Sequence, residues 1–137
     1  MEIMTGAAHV LAARRVVADD VVQIADAVRK WCDSGAVDIV LTTGGTGLSD
    51  RDVTPEAMSD LFETEVPGIA EAIRAKSLTI TPMSMLSRAR AGVRARTIIG
   101  NLPGNPRGVR ECLPVVLPVL THAADILRNR HVGPHPF

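Results

Sequence analysis

Asp38-Ile39-Val40-Leu41-Thr42-Thr43-Gly44-Gly45-Thr46-Gly47-Leu48-Ser49-Asp50-Arg51-Asp52-Val53-Thr54-Pro55 decides how this chain folds. Ile39 to Thr43 is a short apolar and β-branched run, too short for a helix and without the alternation of a half-exposed strand. It reads as a central strand of a sheet covered on both faces. Gly44, Gly45 and Gly47 then supply backbone that turns sharply and approaches a ligand with no Cβ in the way. Thr54 is placed to cap the next helix, with Pro55 at its first position and Glu56 in its first turn. A strand passing through a glycine loop and an acidic turn into a helix start is how an α/β protein cradles an anion, phosphate above all.

Working outward, Val10 to Val17 is apolar around Arg14 and Arg15 and reads as a strand, after which Asp19 or Asp20 caps a helix. That helix carries Val21, Ile24, Ala25, Val28 and Trp31 or Cys32 at three-and-four spacing and stops near Ser34-Gly35. Beyond the glycine loop, helices are expected over 55–62 and 68–77, with one further turn at Met83 to Leu86 after the Thr81-Pro82 break. Ser87 to Val93 and Arg96 to Leu102 form two strands joined by a short basic turn, a hairpin at one side of the sheet. Pro103-Gly104-Asn105-Pro106 is a second loop, with Asn105 as helix cap. The last helix runs to Arg128, and Pro114 and Pro118 are each expected to kink or divide it. From Asn129 onward the tail reads as loose. Strands alternating with helices indicate one α/β domain with a mainly parallel sheet covered on both faces.

At 137 residues the chain is long enough for a core that stands without disulfides or metal. Fifteen basic and fifteen acidic side chains cancel, so no global field favours nucleic acid or an acidic membrane. Two Phe, one Trp and no Tyr leave little on which unpaired bases could stack. Cys32 and Cys112 lack metal-ligand spacing and read as buried, reduced thiols. No apolar run approaches a membrane span and the first residues lack the pattern of a signal peptide, so a cytoplasmic location is expected.

In open α/β sheets ligands sit beyond the carboxyl ends of the strands, where loops converge. Thr43 to Asp52 and Pro103 to Asn105 are the two loops that qualify, although neither has the spacing of a nucleotide-binding fingerprint. Asp50 and Asp52 lie just past the glycines, and Asp19 ends the preceding expected strand. If those strands are neighbours, Asp19 and Asp52 face one another beside a phosphate cradle, where a carboxylate pair can hold magnesium. The plainer alternatives are that Asp19 and Asp20 only cap a helix and that Asp52 is a solvated turn residue. Ser87-Arg88 can hold an anion through the guanidinium or form a solvated edge. His9, His122, His131 and His135 are scattered and form no triad, and Met83 and Met85 read as core filler.

Thr42-Thr43-Gly44-Gly45-Thr46-Gly47, followed after three residues by Arg51-Asp52-Val53-Thr54-Pro55-Glu56-Ala57, resembles the signature of the molybdopterin-binding MoaB/Mog-type family of molybdenum cofactor biosynthesis. Pro67-Gly68-Ile69-Ala70-Glu71, then Met85-Leu86-Ser87-Arg88-Ala89 followed after one residue by Ala91-Gly92-Val93, and Asn101-Leu102-Pro103-Gly104 continue the resemblance in order, over about residues 9 to 128. It implies a three-layer α/β/α sandwich, commonly a homotrimer, in which magnesium and ATP serve to adenylylate molybdopterin with release of pyrophosphate. Asp52 and Asp19 match acidic positions associated with catalysis and metal. Thr43, Gly44, Gly45, Thr46 and Gly47, with Ser87 and Arg88 and with Pro103, Gly104 and Asn105, match ligand-binding positions. A molybdenum-inserting enzyme of the same pathway is the implied protein partner. Family members usually begin with a further strand and helix, so this chain reads as N-terminally shortened. A non-catalytic binding module of the same fold and a competence-damage-type nucleotide pyrophosphatase are the alternatives.

Overall fold

In the computed structural model, which describes residues 9–130, the strand Thr97–Leu102 is buried at every position, and the other elements are arranged about it. In chain order they are helix α1 (Val21–Asp33), strand β1 (Ile39–Thr43), helix α2 (Thr54–Ser59), the two-residue strand β2 (Thr64–Glu65), helix α3 (Pro67–Leu78), a 3-10 turn (Pro82–Leu86), strands β3 (Ala91–Arg94) and β4 (Thr97–Leu102), and helix α4 (Pro106–Leu127). The sheet order is β1-β4-β3-β2. β1 runs parallel to β4, with Ile39 opposite Ile98 and Thr43 opposite Leu102. β3 pairs antiparallel with both β4 and β2.

Successive residues of a strand face opposite sides, and β4 uses this to join two cores. Ile98 packs with Ile69, Ile73, Leu113, Val116 and Leu120 under α3 and α4. Ile99 packs with Ala25, Val28, Val40, Met58 and Leu61 under α1 and α2. Full burial of each such side chain contributes about 1.5–3 kcal/mol. The result is the three-layer α/β/α arrangement expected from the sequence.

Several local readings are corrected. The sheet is mixed rather than mainly parallel, because the β3–β4 hairpin and β2 add two antiparallel pairs. β1 is not central: among the described residues it pairs with β4 alone, and the inner strands are β4 and β3. Val10 to Val17 forms no strand. Among the described residues it has no ladder partner, and Val10 and Val16 are each 89% exposed; just before it, His9 Nε2 and Thr121 Oγ1 are hydrogen-bonded at 2.7 Å. Apolar composition marks a segment as strand-capable, but a strand exists only when another presents a matching edge.

α4 runs unbroken from Pro106 to Leu127 despite Pro114 and Pro118. Both prolines sit on its exposed side, as does Arg110, while Cys112, Leu113, Val116, Leu117, Leu120 and Ala124 make the buried stripe. The carbonyls of Arg110 and Pro114, which lose their amide donors, therefore belong to the wet face where water can replace them. Met83 and Met85 are not core filler, being 65% and 70% exposed. Cys32 and Cys112 are free and buried, as the sequence suggests. α2 is shorter than expected, ending at Ser59. At the C-terminal end Arg128 donates to the carbonyls of Gly35 and Val37 at 2.8 and 2.9 Å, and Arg130 pairs with Asp38 and Asp125. Arg128 and Arg130 are thus tied to the start of β1, while Asn129 N–H donates to Ile126 O at the helix end; the remainder of the expected loose tail, with His131 and His135, lies outside the described residues. No helix among the described residues is long and apolar enough to cross a membrane.

Candidate active site

Because β1 and β4 are parallel neighbours, the loops that leave them emerge side by side. Gly44 N–H donates to Leu102 O at 3.2 Å, and a Cβ on Gly104 would lie 3.1 Å from Gly44 Cα. The two loops therefore touch backbone to backbone. Gly44 and Gly45 adopt φ of 88° and 72°, a region that disfavours any residue with a Cβ. The turn is closed from the far side by Thr54, whose N–H donates to Gly45 O at 3.0 Å and whose Oγ1 donates to Gly44 O at 3.1 Å. Thr54 is consequently not the cap of α2; that position falls to Val53, without a side-chain bond. A helix cap and a loop staple compete for one hydroxyl, and the Gly44 carbonyl wins it.

Cavities flank the glycine loop. One is a cleft of about 1120 Å³ between residues 9–17 and the outer edge of β1, with Asp19, Thr43, Gly44, Gly45 and Thr54 in its wall. The other, about 290 Å³, lies towards the 3-10 turn and the start of α4, with Thr46, Gly47, Ser87, Pro103, Gly104, Asn105 and Arg107 in its wall. The loop is a partition: Gly44 and Gly45 face the first space, Thr46 and Gly47 the second. Among the described residues none accepts a hydrogen bond from the N–H groups of Gly45, Thr46, Gly47 or Leu48. A run of unengaged amides of this kind offers hydrogen-bond donors that an anion can use.

Asp52 is half-buried, and its Oδ2 accepts the N–H of Ser49 at 3.0 Å, closing the acidic turn on itself. Asp20 is the cap of α1, accepting Gln23 N–H at 2.9 Å, which leaves Asp19 exposed in the wall of the larger cleft. Asp52 does not line that cleft, so the two carboxylates are not brought into one cavity. Asn105 caps α4 as expected, accepting Gly108 N–H at 2.6 Å. Ser87 Oγ accepts Ala89 N–H at 3.3 Å. Arg88 turns its guanidinium to the loop itself, with Nε on Gly47 O, Nη2 on Asp52 O and Nη1 on the Glu56 carboxylate.

Other residues escape a reading of the sequence. Asn101, wholly buried in β4, donates to Thr42 Oγ1 at 2.8 Å and accepts from Arg90 N–H at 3.0 Å, so it links the end of β1 to the segment carrying Arg88. A polar amide inside an apolar run is the available signal, since a buried amide must be paired. Arg74 donates to Ala89 O at 2.7 Å and supports the same segment from α3. Ser84 Oγ is buried in the wall of the smaller cavity without a hydrogen-bond partner among the described residues.

With this geometry in view, the comparison with known proteins is decisive for the family: a model described as a probable molybdopterin binding domain matches residues 1–122. The chain belongs to that family. It is 40% identical over 117 residues to a molybdopterin adenylyltransferase of Helicobacter pylori, covering 85% of this chain and 66% of that protein. It is 48% identical to a crystal structure of the molybdopterin biosynthesis enzyme MoaB from Thermus thermophilus, with a TM-score of 0.86, covering 94% of this chain and 81% of that one. The Mog protein structure from Mycobacterium ulcerans matches at 40% identity and a TM-score of 0.74, covering 78% of this chain and 69% of that one. The molybdopterin binding domain described here thus spans about two thirds of the length of the curated adenylyltransferase it matches.

Proposed function

We propose that this domain acts in molybdenum cofactor biosynthesis by adenylylating molybdopterin with ATP. The observation that carries the proposal is the glycine loop, whose unengaged amides stand between two adjoining cavities and so can meet phosphate groups of two substrates at one place. In this reaction a phosphate oxygen of the pterin attacks the α-phosphorus of ATP; a new P–O–P bond forms, the bond to the β-phosphate breaks, and pyrophosphate leaves with the electron pair. The chemistry asks the protein for alignment and for offsetting of charge rather than for a nucleophile. The amides of Gly45, Thr46, Gly47 and Leu48 would meet the phosphate oxygens, and Asn105 holds the first turn of α4 beside them. The family membership and the names of the relatives support the same reading.

Magnesium, which the resemblance implies, fits the residues present. It is commonly held by one or two carboxylates together with substrate phosphates rather than by an all-protein cage, and the described residues contain no group of three or more side chains able to hold a metal. Asp52 would hold it together with substrate phosphates, Asp19 standing apart in the wall of the larger cleft, and the ion would supply neutralisation of phosphate charge. A homotrimer, a cytoplasmic setting and a molybdenum-inserting partner enzyme belong to the same proposal.

Purified protein given molybdopterin, ATP and magnesium is expected to form adenylyl-molybdopterin and pyrophosphate, and Asp52→Ala is expected to abolish this while remaining folded. Normal turnover in that variant would remove Asp52 from the mechanism. Hydrolysis of dinucleotides to AMP without any pterin would replace the proposal with a pyrophosphatase.

A further inference from the structure

The Arg88 side chain reaches across 32 to 41 positions of sequence to hold both ends of the glycine and acid loop. Its backbone N–H donates to Thr46 O at 2.7 Å. Its Nε donates to Gly47 O at 2.9 Å, its Nη2 to Asp52 O at 2.8 Å, and its Nη1 to the Glu56 oxygens at 2.7 and 3.1 Å. All three guanidinium nitrogens are therefore engaged by the protein, and three loop carbonyls, those of Thr46, Gly47 and Asp52, are turned inward towards one residue.

A trans peptide is planar, so its N–H points opposite to its C=O. There are no cis peptides among the described residues. Turning the carbonyls of Thr46, Gly47 and Asp52 towards Arg88 consequently turns the N–H groups of Gly47, Leu48 and Val53 away from it, and none of these three donates to a described residue. We infer that Arg88 is a positioning residue: it sets the direction of these amides, of which those of Gly47 and Leu48 belong to the phosphate cradle and Gly47 lies in the wall of the smaller cavity, rather than binding the anion itself. This rests on the proposed function for its consequence in turnover, though its effect on anion binding stands apart. A fixed planar fork is needed to hold two carbonyls and a carboxylate at once, which a lysine ammonium on a flexible stem does not reproduce.

The test compares Arg88→Lys, Arg88→Gln and, as a control, Arg94→Gln. Arg94 makes equivalent bonds, to Asp33 and to the Leu61 carbonyl, away from the loop. Each is measured for thermal stability, for affinity towards inorganic pyrophosphate in the presence of magnesium, and for kcat and KM with the pterin. Both Arg88 variants are expected to bind pyrophosphate about tenfold more weakly and to lose kcat about 100-fold, with KM for the pterin within about threefold. Arg94→Gln is expected to lose comparable Tm and neither function. Native-like pyrophosphate affinity in Arg88→Lys would show that charge alone suffices and would overturn the inference. Equal losses in all three variants, or no pyrophosphate binding by the native protein, would also overturn it. A native protein that binds pyrophosphate but does not adenylylate the pterin would refute the proposed function alone, and the binding arm would still decide the role of Arg88.

Discussion

Gly44 and Gly104 lie against each other without intervening side chains, so that a Cβ on Gly104 would stand 3.1 Å from Gly44 Cα. This contact sets the spacing between the loop that follows β1 and the loop that follows β4. Gly104→Ala asks for a few tenths of an ångström of separation between two backbones, neither of which is the end of a flexible side chain. We expect a stability cost of about 1–3 kcal/mol and a fall in kcat on the order of 100-fold, as the two halves of the site move apart. Chemical denaturation and steady-state kinetics check both; unchanged kcat in a destabilised variant would show that the spacing is structural only.

Gly45 and Thr54 form a coupled pair. A Cβ on Gly45 would collide with Thr54 Oγ1, and Gly45 also holds φ at 72°. Gly45→Ala is expected to be destabilising through both causes, about 1–2 kcal/mol from the backbone and about 1–3 kcal/mol from the collision. In a Thr54→Ala background the collision with Oγ1 is gone, and the backbone part and a 3.3 Å approach to the Cβ at position 54 remain. The cost of Gly45→Ala measured by urea unfolding should therefore shrink by about 1–3 kcal/mol in that background, and strict additivity of the two substitutions would refute the collision.

Cys32 is 1% exposed between α1 and the sheet. Burial, and secondarily the neighbouring Asp33 charge, push its thiol from the ordinary 9.0 up to about 11. The folded state thus holds its proton over a range in which the unfolded thiol has released it. The stabilisation from this group is complete below pH 9 and is lost as pH rises from about 9 to about 11, with a slope of about 1.4 kcal/mol per pH unit. Unfolding curves at about pH 8 and about pH 10.5 should show the native protein losing more stability than Cys32→Ala across that interval. The cavity left by Cys32→Ala is a constant offset that does not alter the comparison.

Much of the site is legible in the sequence because its information is local. The strand Ile39–Thr43, the glycine turn, the Asn105 cap and the hairpin into Leu102 each carry their own signal within a few residues. What stays hidden depends on partners far along the chain. An apolar run at Ile39 announces a strand but not whether it lies inside the sheet or at its border, and Val10 to Val17 carries the same signal with no strand beside it among the described residues. Pro114 and Pro118 read as breaks because sequence alone does not say which face of α4 is wet. Arg88 is legible as a cation beside an anion site, whereas its engagement with Gly47, Asp52 and Glu56 depends on the folding of a segment 32 to 41 residues earlier.

The back-to-back placement of Ile98 and Ile99 has a further consequence for how the domain comes apart. One peptide unit separates the core under α3 and α4 from the core under α1 and α2, so neither helical layer can melt without stripping one side of β4. A strand that serves as shared wall to two interiors ties the unfolding of either layer to the other, and the molecule is built to be lost all at once rather than layer by layer. The glycine loop and the Pro103 loop hang from β1 and β4, so the loss of either layer also removes the strands that hold them in place.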